Sequence, residues 1–178
     1  MPDSRMPGLP VVAGPTMADF EAARERVAKV AKVTPMESSQ FLSELTGVPV
    51  FLKCENLQRT GSYKIRGAYN RISQLTPEER DRGVVAASAG NHAQGVALAA
   101  RELGIKATIF MPVGVALPKL QATKHYGAEV VLRGHSVTEP LRERRRPGLA
   151  AFALIPPTMS ADQRHEPDWA KILLLEIL

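Results

Sequence analysis

Residues 84–112 read VVAASAGNHAQGVALAARELGIKATIFMP, and the order of residue types in this stretch decides the fold. Val84–Ser88 is a short apolar run without polar alternation, as expected of a strand buried on both faces. Asn91–Leu103 switches to helical spacing, with Ala93, Val96, Ala97 and Ala100 on one face, and ATIFMP at 107–112 returns to strand composition. Downstream, Pro118 opens a further helix to about Tyr126, Gly127 caps it, and AEVVLRG at 128–134 supplies another strand. Nearly apolar strands alternating with helices predict an α/β fold: a three-layer parallel sheet with helices on both faces.

Upstream the pattern is less regular. Phe20, Ala23, Val27, Val30 and Ala31 predict a helix over 17–33 that Thr34-Pro35 stops. A short second helix is expected over 37–45, followed by an apolar strand in VPVFLKCE at 48–55. Ile65, Ala68, Tyr69 and Ile72 share a helical face, and Thr76-Pro77-Glu78-Glu79 reads as an N-cap, a first-turn proline and a capping-box acid for a helix to about Arg82. Met1–Thr16 is punctuated by Pro and Gly and is expected to fray.

The chain has 178 residues, 44% of them hydrophobic and 5% aromatic, enough for one domain or parts of two. A single cysteine, Cys54, excludes an intrachain disulfide and a multi-cysteine metal site, which points to a reducing compartment. Without an apolar run of about 18 residues or a signal-like start, a soluble cytoplasmic protein is expected. The net charge of +5 is concentrated: Arg142, Arg144, Arg145 and Arg146 against Glu143 contribute four minus one, or +3. No aromatic residues interleave with these charges, so neither nucleic acid nor membrane is an expected partner.

Two segments carry chemistry. SAGNHAQG at 88–95 lies where a parallel strand hands over to a helix, the place where open α/β sheets bind ligands and where helix N–H groups face an anion. The competing reading is a plain helix cap made by Ser88 or Asn91. No phosphate-loop pattern occurs. TGSYKIRGAYN at 60–70 puts Lys64 at a helix N-terminus, where a charged amine is disfavoured by the macrodipole and the neutral, nucleophilic form gains. A solvated lysine lying over its own turn is the alternative.

KCENLQRTGSYKIRGAYN, SAGNHAQG and MPVGVALPKLQATKHYGAEVVL together resemble the serine/threonine dehydratases of the fold-type II pyridoxal-phosphate enzymes, over about Val27 to Thr138. The form ENLQRTGSYKIRGAYN is more similar to the catabolic threonine dehydratases than to the biosynthetic kind. The resemblance implies pyridoxal 5'-phosphate as cofactor and an amino acid as substrate. It implies that Lys64 binds the cofactor aldehyde and moves the substrate proton. Tyr63 would pack by the cofactor ring, Asn91 would bond its phenolic oxygen, and Ser88, Ala89, Gly90, Asn91 and His92 would hold the substrate carboxylate. The implied reaction is α,β-elimination of L-threonine or L-serine to a 2-oxo acid and ammonia, in a protein whose full-length relatives form homo-oligomers. Serine racemase or another β-eliminating relative is the alternative within the family.

The resemblance also implies a division into residues 1–56, the N-terminal part of a large domain; 57–141, a small α/β domain; and 142–178, an anomalous segment with the rest of the large domain missing. The family's glycine-rich phosphate loop has no counterpart: after Leu141 only Gly148 is available. Residues 142–170 hold four of the fourteen prolines, and KILLLEIL at 171–178 then resumes a family-like helix. The expectation is a truncated chain carrying a reading-frame lesion across 141–171, inactive as written, with a folded but catalytically dead module as the rival function. Translating the two other frames across these codons should yield a strand and a GQGT-like segment in one of them.

Overall fold

A computed structural model describes residues 14–134. The expectations for residues 1–13 of the N-terminal tail and for 141–178 fall outside them, while Thr16, counted in that tail, is the cap of the first helix. α1 (Met17–Val27) starts at a capping box in which the Thr16 hydroxyl accepts from Asp19 N–H and the Asp19 carboxylate accepts from Thr16 N–H. The helix is shorter than the expected 17–33. Past Val27 the chain tightens into three-residue turns, with Val30 N–H on the Val27 carbonyl at 3.0 Å, and these still deliver Val30 to the core.

The next stretch departs further from its sequence reading. Glu37 belongs to β1 (Met36–Ser38), which pairs antiparallel with β2 (Phe51–Lys53), so a hairpin replaces part of the expected helix. The helix α2 (Gln40–Thr46) begins only after Ser39, whose hydroxyl accepts from Leu42 N–H, and ends on left-handed Gly47. Every residue of β1 and β2 is exposed, and α2 buries none of its residues; Met36, Phe41, Leu45 and Phe51 all face outward.

From residue 55 the expected pattern holds. A single 3₁₀ turn (Glu55–Leu57) leads to α3 (Lys64–Ile72), then α4 (Pro77–Arg82), β3 (Val84–Ala87), α5 (Asn91–Glu102), β4 (Ala107–Met111), α6 (Leu117–His125) and β5 (Glu129–Leu132). β3, β4 and β5 form a parallel sheet in that order, with Ala86 opposite Ile109 and Ile109 opposite Val130. Both crossovers step the same way across the sheet, and α5 and α6 pack on each other over the face formed by Ala86, Ile109 and Met111. All four residues of β3 are buried, on both faces, as its apolar run predicts. β4 alternates between buried and half-buried residues, and β5 lies at an edge.

The core is built from Ala, Val and Ile, with Ile65, Ile72, Leu98, Ile109 and Met111 fully enclosed. Small side chains let α3 lie close on α5. α1 is tied to α3 by Arg26 Nε donating to the Asn70 side-chain carbonyl at 2.7 Å.

The segment before α3 is fixed by one charged cluster. Arg66 donates through Nε to Glu55 Oε2 at 2.9 Å and through Nη2 to Oε1 at 2.8 Å, while the Thr34 hydroxyl donates to Oε1 at 2.7 Å. The pair is mostly shielded from solvent. The hydrogen bonds from Arg66 hold the Glu55 carboxyl down to about 2 from its ordinary 4.5, against the opposing effect of burial. A depressed carboxylate stabilises the fold above its unfolded pKa, and that stability is lost as the pH falls from 4.5 toward 2. Glu55→Gln is expected to cost about 1–2 kcal/mol at neutral pH. Urea titrations should show the gap to the parent chain narrowing across that acid window.

Candidate active site

Lys64 is the first residue of α3, as its sequence position predicts. The residue before it, Tyr63, already has helical backbone angles, so no side chain caps this end. The loop that delivers Lys64 is held at several points. Gln58, buried, reads the backbone of Lys32 in both directions: its amide donates to the Lys32 carbonyl at 2.9 Å and its oxygen accepts from Lys32 N–H at 2.8 Å. Arg59 pairs with Glu102 of α5 at 2.9 Å, and the Tyr126 hydroxyl donates to the Arg59 carbonyl at 3.0 Å. These three partners, Lys32, Glu102 and Tyr126, come from three distant stretches of sequence.

SAGNHAQG occupies the C-terminal end of β3 and the first turn of α5. The Ser88 hydroxyl accepts from the N–H groups of Gly90 at 3.2 Å and Ala93 at 3.3 Å, so the capping role anticipated for Ser88 or Asn91 is taken by Ser88. Ala89 and Asn91 are exposed and Gly90 half-buried. The N–H groups of Asn91 and His92, first and second in α5, have no helix carbonyl to bond.

The two motifs meet at Gly95. A Cβ added there would lie 3.0 Å from the carbonyl carbon and oxygen of Lys64 and 3.2 Å from Ile65 N. Glycine is therefore required for α5 to touch the first residue of α3, a role the sequence reading did not assign. His92 completes the junction. The residue is half-buried, and Nε2 is sealed from solvent and has no hydrogen-bond partner among the described residues. Burial first, and then the charge of nearby Lys64, lower its pKa to about 3, so its imidazole is neutral at physiological pH and is no proton donor there. Ser62 Oγ, two residues before Lys64, is likewise buried without a partner.

On the far side of Lys64, its Nζ lies 4.9 Å from the centroid of the Tyr63 ring, which is 43% exposed. An open cavity of about 660 Å³ borders that ring and is lined by Lys32, Lys53, Glu55 and Arg66 among others. The site therefore offers the primary amine of Lys64, an accessible aromatic face, a carboxamide at Asn91, two buried polar atoms in want of partners, and a helix N-terminus. No cluster of metal-ligating side chains occurs among the described residues.

A lysine beside a polar strand-to-helix loop of a parallel α/β sheet stands at the kind of junction where such sheets bind ligands. The chain belongs to the pyridoxal-phosphate dependent enzyme family, whose model matches residues 27–158. It is 54% identical over 124 residues to L-threonine ammonia-lyase of Thermotoga maritima, covering 70% of this chain and 31% of that protein. Among solved structures, threonine deaminase isoform 2 of Solanum lycopersicum aligns at 38% identity with a TM-score of 0.68, over 78% of this chain and 43% of that one. A serine racemase from Dictyostelium discoideum aligns at 34% identity with a TM-score of 0.69, over 78% and 46%. The chain thus spans about a third of the curated relative and under half of each solved chain.

Gly95→Ala tests the junction. The helix propensity gained, about 1 kcal/mol, competes with overpacking against backbone that has no rotamer to yield, about 1–3 kcal/mol. Urea unfolding is expected to show a net loss of about 1 kcal/mol. A stabilised variant would mean that α3 and α5 have slack at Lys64.

Proposed function

We propose that this chain is the catalytic-lysine portion of an enzyme that deaminates L-threonine, and L-serine, to 2-oxobutanoate or pyruvate and ammonia by α,β-elimination. The observation that carries the reading is the junction of Lys64 with the SAGNHAQG helix through Gly95. The likeness to a threonine ammonia-lyase at 54% identity supports it.

The residues present fit pyridoxal phosphate: an amine for the aldehyde, an aromatic ring beside it, and unpartnered buried polar atoms close by. Lys64 would hold the aldehyde carbon, Tyr63 would pack by the ring and Asn91 would donate its amide to the phenolic oxygen. When bound, the pyridine ring system accepts the electron pair left at the substrate α-carbon. In this reading the amine of Lys64 removes the α-proton. The loop of Ser88, Ala89, Gly90, Asn91 and His92 fixes the carboxylate through its N–H groups, which orients the α-hydrogen toward Lys64. Neutral His92 adds a polar atom to that pocket without adding charge.

Residues 57–141 are read as the small domain, and residues 1–56 as the start of a larger one. The outward apolar side chains of β1, α2 and β2 support the second assignment, since a unit that buries nothing of its own requires a further surface. On the same reading the 178-residue chain alone does not turn over. The likeness to a serine racemase favours racemisation of L-serine as the second activity to assay.

In the complete enzyme, borohydride reduction should attach the pyridoxyl group to Lys64, and Lys64→Ala should abolish 2-oxobutanoate formation. Peptide mass spectrometry locates the tag; labelling of a different lysine overturns the assignment.

A further inference from the structure

A second lysine shares the peculiarity of the first. Lys119 is the third residue of α6, at the positive end of the helix dipole, in a first turn that contains no acid. A cation there is disfavoured by a few tenths of a kcal/mol. Among the described residues no carboxylate pairs with it. Its side chain does not extend away into solvent but crosses to the neighbouring strand-to-helix loop: a Cβ built on Gly90 would lie 3.0 Å from Lys119 Nζ, 3.8 Å from Cδ and 4.0 Å from Cε.

We propose that Lys119 is a specificity-determining residue of this site, its ammonium pairing with the α-carboxylate of the amino-acid substrate above Gly90. The assignment rests on the reading of the 88–92 loop as the carboxylate site and adds a charge to it. The loop by itself offers only dipoles: the first-turn N–H groups of α5, and the neutral His92, whose Nε2 is buried without a partner. These dipoles already favour a carboxylate over an uncharged carbonyl, and an ammonium at contact distance widens that discrimination. A Cβ at Gly90 would crowd the Lys119 ammonium at 3.0 Å and push the flexible end of that side chain away from the loop. Leu117, Pro118 and Lys119 itself are exposed, so the residue stands at the entrance and not in the core.

The test uses the complete enzyme with Lys119→Met, which keeps the length of the side chain and removes the charge. The KM for threonine should rise about tenfold or more while kcat stays within about threefold. Inhibition by malonate should weaken in parallel, and the affinity for pyridoxal phosphate, followed by its absorbance, should not change. Lys119→Arg should restore part of the loss, and Gly90→Ala should mimic it. An unchanged KM and malonate affinity overturn the proposal, as does a loss confined to cofactor affinity, which would assign the ammonium to the cofactor phosphate. Acetylation of Lys119 in the native chain, read by peptide mass spectrometry, gives an independent arm: malonate should slow it, and an unaltered rate counts against the pairing. If the parent enzyme lacks lyase activity but malonate still protects Lys119, the proposed reaction fails and the anion site stands.

Discussion

The close approach of α5 to α3 at Gly95 is the constraint on which the remaining geometry depends. One hydrogen in place of a methyl lets the helix that follows β3 rest on the backbone of Lys64, with contacts that a Cβ would place at 3.0 Å. The contact is backbone on side-chain-free backbone, so neither partner can rotate out of the way. It sets the distance between the amine of Lys64 and the first turn of α5, and it places His92 where the charge of Lys64 reaches it. The alanine-rich face of α5 extends the same principle along the interface with Ile65, Ala68 and Ile72.

Around that contact the protein uses polar bonds to aim, and apolar burial to hold. Gln58, Arg59 and Glu55 are strung along the loop before Lys64 and are bonded respectively to the turn after α1, to α5 and to the segment leading to β1, while Arg66 just after Lys64 holds Glu55. Individually such bonds contribute about 0.5–1.5 kcal/mol to stability, up to about 3 when charged. Their larger effect is to remove alternative conformations of a loop that lacks a core of its own. The strands β1 and β2 pair with each other but contribute no buried residue to the core.

The α/β class, the parallel sheet and the capped helix over 77–82 were legible because local patterning and tertiary environment agree there. β3 is apolar throughout and buried throughout; Thr76, Pro77 and Glu79 form their capping box from residues three apart. The early segment misled for the opposite reason. Met36–Ser38 has no strand pattern of its own and is a strand only because Phe51–Lys53 pairs with it across the intervening helix. The helix expected over 17–33 ends at Val27, although Val30 is buried as its periodicity implied, because successive three-residue turns can hold the same face inward.

At the site, the sequence by itself determined the chemistry: a lysine opening a helix, a Ser-Ala-Gly-Asn-His loop after a buried strand, and the family to which both belong. It determined these because short-range order is written in consecutive residues. Only the tertiary structure decided that Gly95 separates the two motifs by a single van der Waals contact, that Ser88 spends its hydroxyl on capping, that Glu55 answers Arg66, and that Lys119 lies over Gly90. Apart from the local Ser88 cap, for which the sequence left Asn91 as an equal candidate, each of these joins residues from different elements, and no periodicity or spacing along the chain encodes a distance across it.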